Sequence, residues 1–155
     1  MQLNNIARST AFFVSALALT ACSEPFGFAS GGELSGELTE PPAVWAFEED
    51  SALAQLETNP DEPYSINLVY VQLNGNLYAY AGDTRTNWVQ NIERNPDVKI
   101  RIGDAIYPLR AVRVPAGEEL TAFAKVWAER SIFQRDPMQF EEVWLYRLES
   151  RGDEA

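Results

Sequence analysis

The chain has 155 residues, enough for one domain with a modest core, and its 46% hydrophobic and 23% charged residues are ordinary for a globular protein. Its charge balance is not ordinary: 12 Lys+Arg face 23 Asp+Glu, and so anionic a surface repels nucleic acid, whose phosphates need clustered cations. With no histidine and Cys22 as the single cysteine, the sequence lacks the commonest general base, the usual zinc and haem ligands, a disulfide and a thiolate cluster, so redox chemistry here needs an organic cofactor and no metal is expected.

Residues 11–19 form an apolar run after a single positive charge, Arg8. Such a run rises about 14 Å as a helix, too little for roughly 30 Å of hydrocarbon. It reads as the core of a signal peptide spanning residues 1–21. Leu19-Thr20-Ala21-Cys22 resembles a bacterial lipobox, in which the cysteine is acylated after cleavage. A plain secretory leader with a chance cysteine is the alternative. Removing residues 1–21 takes away Arg8 and no acid, so the net charge moves from −11 to −12. Ser23, rather than Asp, follows the cysteine; by resemblance to Gram-negative lipoproteins this implies the periplasmic side of the outer membrane. The expected partner is therefore a membrane, reached through a lipid on Cys22.

Residues 22–42 are rich in Gly, Ser, Pro and Glu and read as the lipidated cysteine and a flexible tether. Order is expected over residues 43–150. Val44–Phe47 and Ala54–Thr58 are short strand candidates flanking the acidic Glu48-Glu49-Asp50, and 59–63 is a loop. Residues 64–73 and 77–81 are β-branched and aromatic, and Asn74-Gly75 between them suits the positive φ angles of a tight hairpin. Residues 87–94 place Trp88, Val89 and Ile92 on one side of a short helix that stops before Pro96, with Thr86 as a candidate cap. Residues 97–102 alternate strictly, Gly103-Asp104 turns, and 105–114 returns as a strand. A helix over about 117–130 carries the stripe Leu120, Phe123, Ala124 and Trp127; 142–148 is a last strand, and 151–155 is a frayed tail.

Mostly antiparallel strands with two inserted helices are best satisfied by closure, which removes exposed sheet edges. The expected fold is mainly β (α+β): a six-stranded antiparallel split β-barrel with two inserted helices.

The stretch Asn76–Gly103, followed by Leu109–Val114, resembles the FMN-binding split-barrel superfamily, which includes pyridoxamine 5'-phosphate oxidase-like proteins, and above all its deazaflavin-dependent nitroreductase-like branch. The matching residues are Trp88, Asn91, Asn95-Pro96, Val98 to Gly103 and Arg110-Ala111. The resemblance implies a flavin, FMN or a deazaflavin, held near Tyr80, Gly82, Thr84, Arg85, Thr86 and Trp88. Their chemistry suits that role. A glycine lets backbone approach a ligand, an arginine can fork two phosphate oxygens, and hydroxyls before a helix N-terminus face an anion-favouring end. Against it, Trp88, Val89 and Ile92 read as core before they read as cofactor contacts. Lys99, Arg101, Arg110 and Arg113 read as partners of surface acids before they read as an anion patch.

Three functions remain open from the residues. One is a flavin-dependent oxidoreductase or flavin carrier on a membrane tether. The second is a non-catalytic accessory lipoprotein with a degenerate site, favoured by Asp83 in the turn and by the absence of Lys and Arg from residues 43–73. The third is a homodimeric barrel binding a small hydrophobic molecule, since split barrels commonly build sites between subunits.

Overall fold

The computed structural model describes residues 24–130 and 135–152. The signal peptide, Cys22 and the last three residues of the expected tail lie outside the described residues. In chain order the elements are β1 (Glu37–Leu38), β2 (Leu53–Thr58), β3 (Tyr64–Val69), β4 (Val71–Leu73), β5 (Asn76–Tyr80), α1 (Asn87–Arg94), β6 (Asp97–Ile102), β7 (Ala105–Arg113), α2 (Glu118–Glu129), a 3-10 turn (Pro137–Gln139) and β8 (Leu145–Ser150).

One sheet runs β3-β2-β6-β7-β8-β5-β4, and β1 lies parallel to β7. Its other ladders are antiparallel. The two ends of that order are consecutive in the chain. β3 pairs with β2 and β4 pairs with β5. Across the break, the Tyr70 and Gln72 N–H groups still reach the carbonyls of Ala52 and Asp50, at 3.0 and 2.7 Å. One bent run, Tyr64 to Leu73, therefore supplies both margins, and the sheet curls round to meet itself. Where six strands are expected, eight segments form. The bend at Tyr70 divides one strand into two, and the two-residue β1 comes from the segment read as tether.

The hairpin turn is made by Asn74 (φ 52°) and Gly75 (φ 77°), the left-handed pair its sequence calls for. Val44–Phe47 forms no strand. Its N–H groups make single bonds, Trp45 to the Gly75 carbonyl at 2.9 Å and Phe47 to Gln72 Oε1 at 2.7 Å. Trp45 turns into the barrel, edge-on to Tyr107 at 5.0 Å.

The two sides of the sheet bury separate clusters. Leu56, Leu77, Ala79, Val98, Ile100, Leu109, Tyr146 and Leu148 point into the barrel, where α1 adds Trp88, Val89 and Ile92. On the outer side, Val71, Tyr78 and Leu145 meet Leu120 and Phe123 of α2. The strand period of two explains the division: Leu77 and Ala79 face in while Tyr78 and Tyr80 face α2. An ion-pair knot fixes α2 to the wall. Arg147 holds Glu119 at 2.6 Å and Glu149 at 2.6 Å, and the Tyr78 hydroxyl donates to Glu119 at 2.9 Å.

Residues 24–39, read as tether, lie against the barrel. Glu24 pairs with Arg101 at 2.6 Å, the Leu34 N–H donates to the buried Glu57 at 2.6 Å, and Gly31 exchanges backbone bonds with Ser65 at 2.8 and 2.9 Å. Lys99 completes the charge of Glu57 at 2.9 Å. Gly36 has no room for a side chain, since a Cβ there would stand 2.8 Å from the Asp104 carbonyl oxygen.

Candidate functional site

β5 ends at Tyr80, and the chain then turns through Gly82 (φ 70°) to enter α1. Two backbone bonds pin the turn to the segment before β8: Ala81 N–H to the Trp144 carbonyl and Trp144 N–H to the Gly82 carbonyl, both 2.9 Å. Between this turn and the end of α2 lies a cavity of about 340 Å³, within the size range of small-ligand sites. Its lining is Tyr80, Ala81, Gly82, Asp83 and Thr84 on one side, and Trp127, Arg135 and Phe140 on the other.

The walls set three aromatic rings beside the polar groups of Asp83, Thr84 and Arg135. Tyr80 meets Trp127 edge-on at 4.7 Å, and Trp127 stacks on Phe123 at 5.9 Å and 16°. Arg135 lies over Phe140 at 4.9 Å and within 3.9 Å of Asp83, so the carboxylate in the turn has a counter-charge. The Tyr80 phenol is pushed up to about 12, first by burial and then by Asp83. At neutral pH it is a neutral hydroxyl able to donate or accept.

Of the six residues singled out in the sequence, Tyr80, Gly82 and Thr84 meet at this cavity, and Arg85, Thr86 and Trp88 do not line it. Arg85 is exposed and lies 5.7 Å from the Trp144 ring, whose nearer cation is Arg113 at 3.7 Å. Thr86 occupies the cap position of α1 but makes no capping bond, and its Oγ1 is buried without a hydrogen-bond partner. Trp88 is core, 6% exposed and edge-on to Tyr146 at 5.9 Å.

The rest of the motif holds the fold together. Asn91 is buried and donates to Thr58 Oγ1 at 3.0 Å, tying α1 to β2; its own Oδ1 accepts from Arg94 at 2.5 Å. Asn95 Oδ1 accepts from the Asp97 N–H at 3.0 Å and so starts β6. The strand cations all meet acids: Lys99 with Glu57, Arg101 with Glu24, Arg110 with Asp97 and Arg113 with Glu93.

Three cavity residues escaped the sequence reading. Trp127 was visible, but as part of the apolar stripe of α2. Arg135 and Phe140 fall between α2 and β8, where no hydrophobic period marks an element. A second cleft of about 360 Å³ lies beside α1, lined by Asn59, Glu62, Tyr64, Asn87, Gln90 and Arg94 among others. Its amides and charges offer less of a slot for a planar ring than the Tyr80–Trp127 cavity.

A plane-ended aromatic ligand fits these observations. Tyr80 and Trp127 offer ring faces and edges, Thr84 and the Tyr80 hydroxyl offer hydrogen bonds, and Arg135 brings a cation to the rim. The first turn of α1, which follows the cavity turn in the chain, carries no acid.

The comparisons agree with this architecture. The F420H(2)-dependent quinone reductase family matches residues 67–136, which run from β3 through the cavity turn and α2 to Asp136. No curated protein matches the sequence significantly. Among solved structures, one described as a domain-swapped dimer superposes with a TM-score of 0.53 at 20% identity, covering 63% of this chain and 79% of that one. HutZ, the heme storage protein from Vibrio cholerae, superposes with a TM-score of 0.51 at 19% identity, covering 67% and 83%. The closed antiparallel sheet with two helices is thus the fold these solved structures share, and residues 67–136 are similar to the F420H(2)-dependent quinone reductase family.

Proposed function

We propose that the protein is a membrane-tethered split barrel that binds a deazaflavin or flavin at the Tyr80–Trp127 cavity and uses it in a redox reaction. The observation that carries this reading is the cavity itself, formed by three of the resemblance-implied residues within the segment that matches a deazaflavin-dependent family. When bound, the cofactor would supply hydride chemistry. The chain's part is to hold and orient it. Trp127 and Tyr80, packed edge-on, together form one wall for a ring to lie against, Thr84 and the neutral Tyr80 hydroxyl fix its polar edge, and Arg135 neutralises a phosphate while keeping Asp83 from repelling it. A histidine-ligated haem, by contrast, finds no ligand in this sequence.

The test is direct. Protein lacking residues 1–22, titrated into FMN and separately into coenzyme F420, is expected to quench the cofactor's fluorescence to saturation, with Trp127→Ala reducing affinity at least 10-fold, about 1.4 kcal/mol. No saturable quenching of either would overturn the reading and leave the accessory one. That second reading draws on Asp83 in the cavity wall and on Arg85 lying against Trp144 instead of facing the cavity.

The anchor reading rests on Leu19-Thr20-Ala21-Cys22 and on Ser23, which support acylation of Cys22 and a station on the periplasmic side of the outer membrane. Among the described residues no helix is long and apolar enough to cross a membrane. A homodimer fits the fold of the domain-swapped neighbour, and size-exclusion chromatography with light scattering tests it.

A further inference from the structure

The segment nearest the proposed anchor is clamped to the barrel and shows its aromatic residues to the outside. Glu24, two residues after Cys22, forms a two-pronged pair with Arg101 at 2.6 and 2.9 Å and accepts from the Ser35 hydroxyl at 2.9 Å. Next, Phe26 and Ala29 close a tight turn by exchanging backbone bonds of 3.2 and 2.9 Å. Asn67 Nδ2 fastens that turn to the sheet, donating to the Pro25 and Gly27 carbonyls at 3.3 and 3.0 Å, and Gln55 Nε2 reaches the Pro25 carbonyl at 3.4 Å. Pro25 is buried, yet Phe26 is 87% and Phe28 fully exposed.

The patch continues onto the sheet. Gln55 and Asn67 are register partners, and two positions along both strands stand Leu53 and Val69, also partners and 69% and 41% exposed. Side chains two apart on a strand share a face about 7 Å apart. The turn that carries Phe26 and Phe28 is thus pinned to the sheet two positions from Leu53 and Val69, at one outer corner of the barrel. Scattered exposed apolar residues need no explanation, but two unsupported aromatics on a pinned turn do.

We infer that this corner is a membrane-contact surface, which seats the barrel on a neutral phospholipid interface in one orientation. The inference rests on the reading of Cys22 as acylated. Two residues of chain span at most about 7 Å, so an acyl chain entering the bilayer at Cys22 holds the Glu24 clamp at the headgroups. Phe26 is four residues after Cys22, at most about 14 Å away. The phenylalanine turn then lies at the headgroup level, where apolar side chains add binding free energy to that of the lipid. A protein of net charge −12 beyond the leader, with Glu48-Glu49-Asp50 beside Leu53, selects neutral over anionic lipid.

The experiment uses the full acylated protein in phosphatidylcholine vesicles, with an environment-sensitive fluorophore on Phe28→Cys and, as the distant site, on Glu118→Cys. Intact mass first reports whether Cys22 carries its acyl groups. With Cys22 acylated, the probe at 28 is expected to shift to the blue and to be quenched by bromolipids, while the probe at 118 stays water-like; 30% anionic lipid, a proportion of about one lipid in three, should weaken both signals at 28. A water-like probe at 28 on acylated protein overturns the docking surface and leaves the anchor standing. An unmodified Cys22 overturns both. A blue shift that grows with protein density on the vesicle but resists bromolipid assigns the corner to a second copy and also overturns the inference.

Discussion

The two helices use their aromatic residues in opposite ways. α1 plugs the barrel: Trp88 is buried against Tyr146, Asn91 bridges to Thr58, and the helix closes over the interior cluster. α2 lies outside the wall, and past Ala124 its burial is only partial, leaving Trp127 half-buried at the edge of a cavity. The Trp88-to-Asn91 part of the resembling stretch thus does structural work, and the room for a ligand opens between its Tyr80–Thr84 turn and the end of α2. The Trp88-x-x-Asn91 pattern therefore reports the fold before it reports the chemistry.

Four measurements break or sharpen that contrast. Trp88→Ala empties a core position and is expected to cost about 3–5 kcal/mol in urea unfolding, whereas Trp127→Ala should cost less than about 2 kcal/mol while weakening cofactor binding. Equal losses of stability would erase the distinction between the helices. Tyr80→Phe removes one hydrogen bond and is expected to lower cofactor affinity by about 2- to 10-fold with stability nearly unchanged, read by fluorescence titration.

Glu119 carries the acid sensitivity of the α2 side. Burial disfavours its charge, but hydrogen bonds from Arg147 and Tyr78 outweigh burial and hold its pKa below the usual 4.5. Because the folded value is the lower one, its contribution is present above the unfolded value and is lost as the pH falls through the folded one. Urea midpoints followed down to about pH 3 should therefore fall less steeply for Glu119→Gln, with a difference under about 1 kcal/mol for so accessible a pair. The smallest effect is spectroscopic. Tyr78 and Tyr80 are both raised to about 12, by burial first and then by Glu119 and Asp83 respectively, so their phenolate absorbance is expected to stay silent through the ordinary tyrosine range near pH 10.

What was legible in the sequence is what local chemistry decides. Asn74-Gly75 announces its hairpin because few other pairs accept two positive φ angles, and residues 97–102 announce β6 because Val98 and Ile100 alternate with Lys99 and Arg101. The helix at 87–94 ends where Pro96 forbids it to continue. Long-range decisions were hidden. Glu24 finds Arg101 across 77 residues, so a Gly/Ser/Pro-rich stretch that looks like tether becomes a strap. The last strand begins at Leu145 and not at 142, since Val143 and Trp144 are occupied by Arg113 and the Gly82 turn. At the site, Tyr80, Gly82 and Thr84 came through resemblance, whereas Arg135 and Phe140 sit in an aperiodic segment that only the folded chain brings to Trp127.

The bent run from Tyr64 to Leu73 has a consequence for how the domain comes apart. Since a single bent run seals both margins, neither end of the main sheet path is left as a free edge, and among the described residues only the two-residue β1, paired with β7 alone, hangs outside it. Amides on β2, β5 and this strand should then exchange with deuterium only through whole-domain opening, all with the same free energy. Such all-or-none closure leaves few half-open forms for proteases or neighbouring sheets to capture.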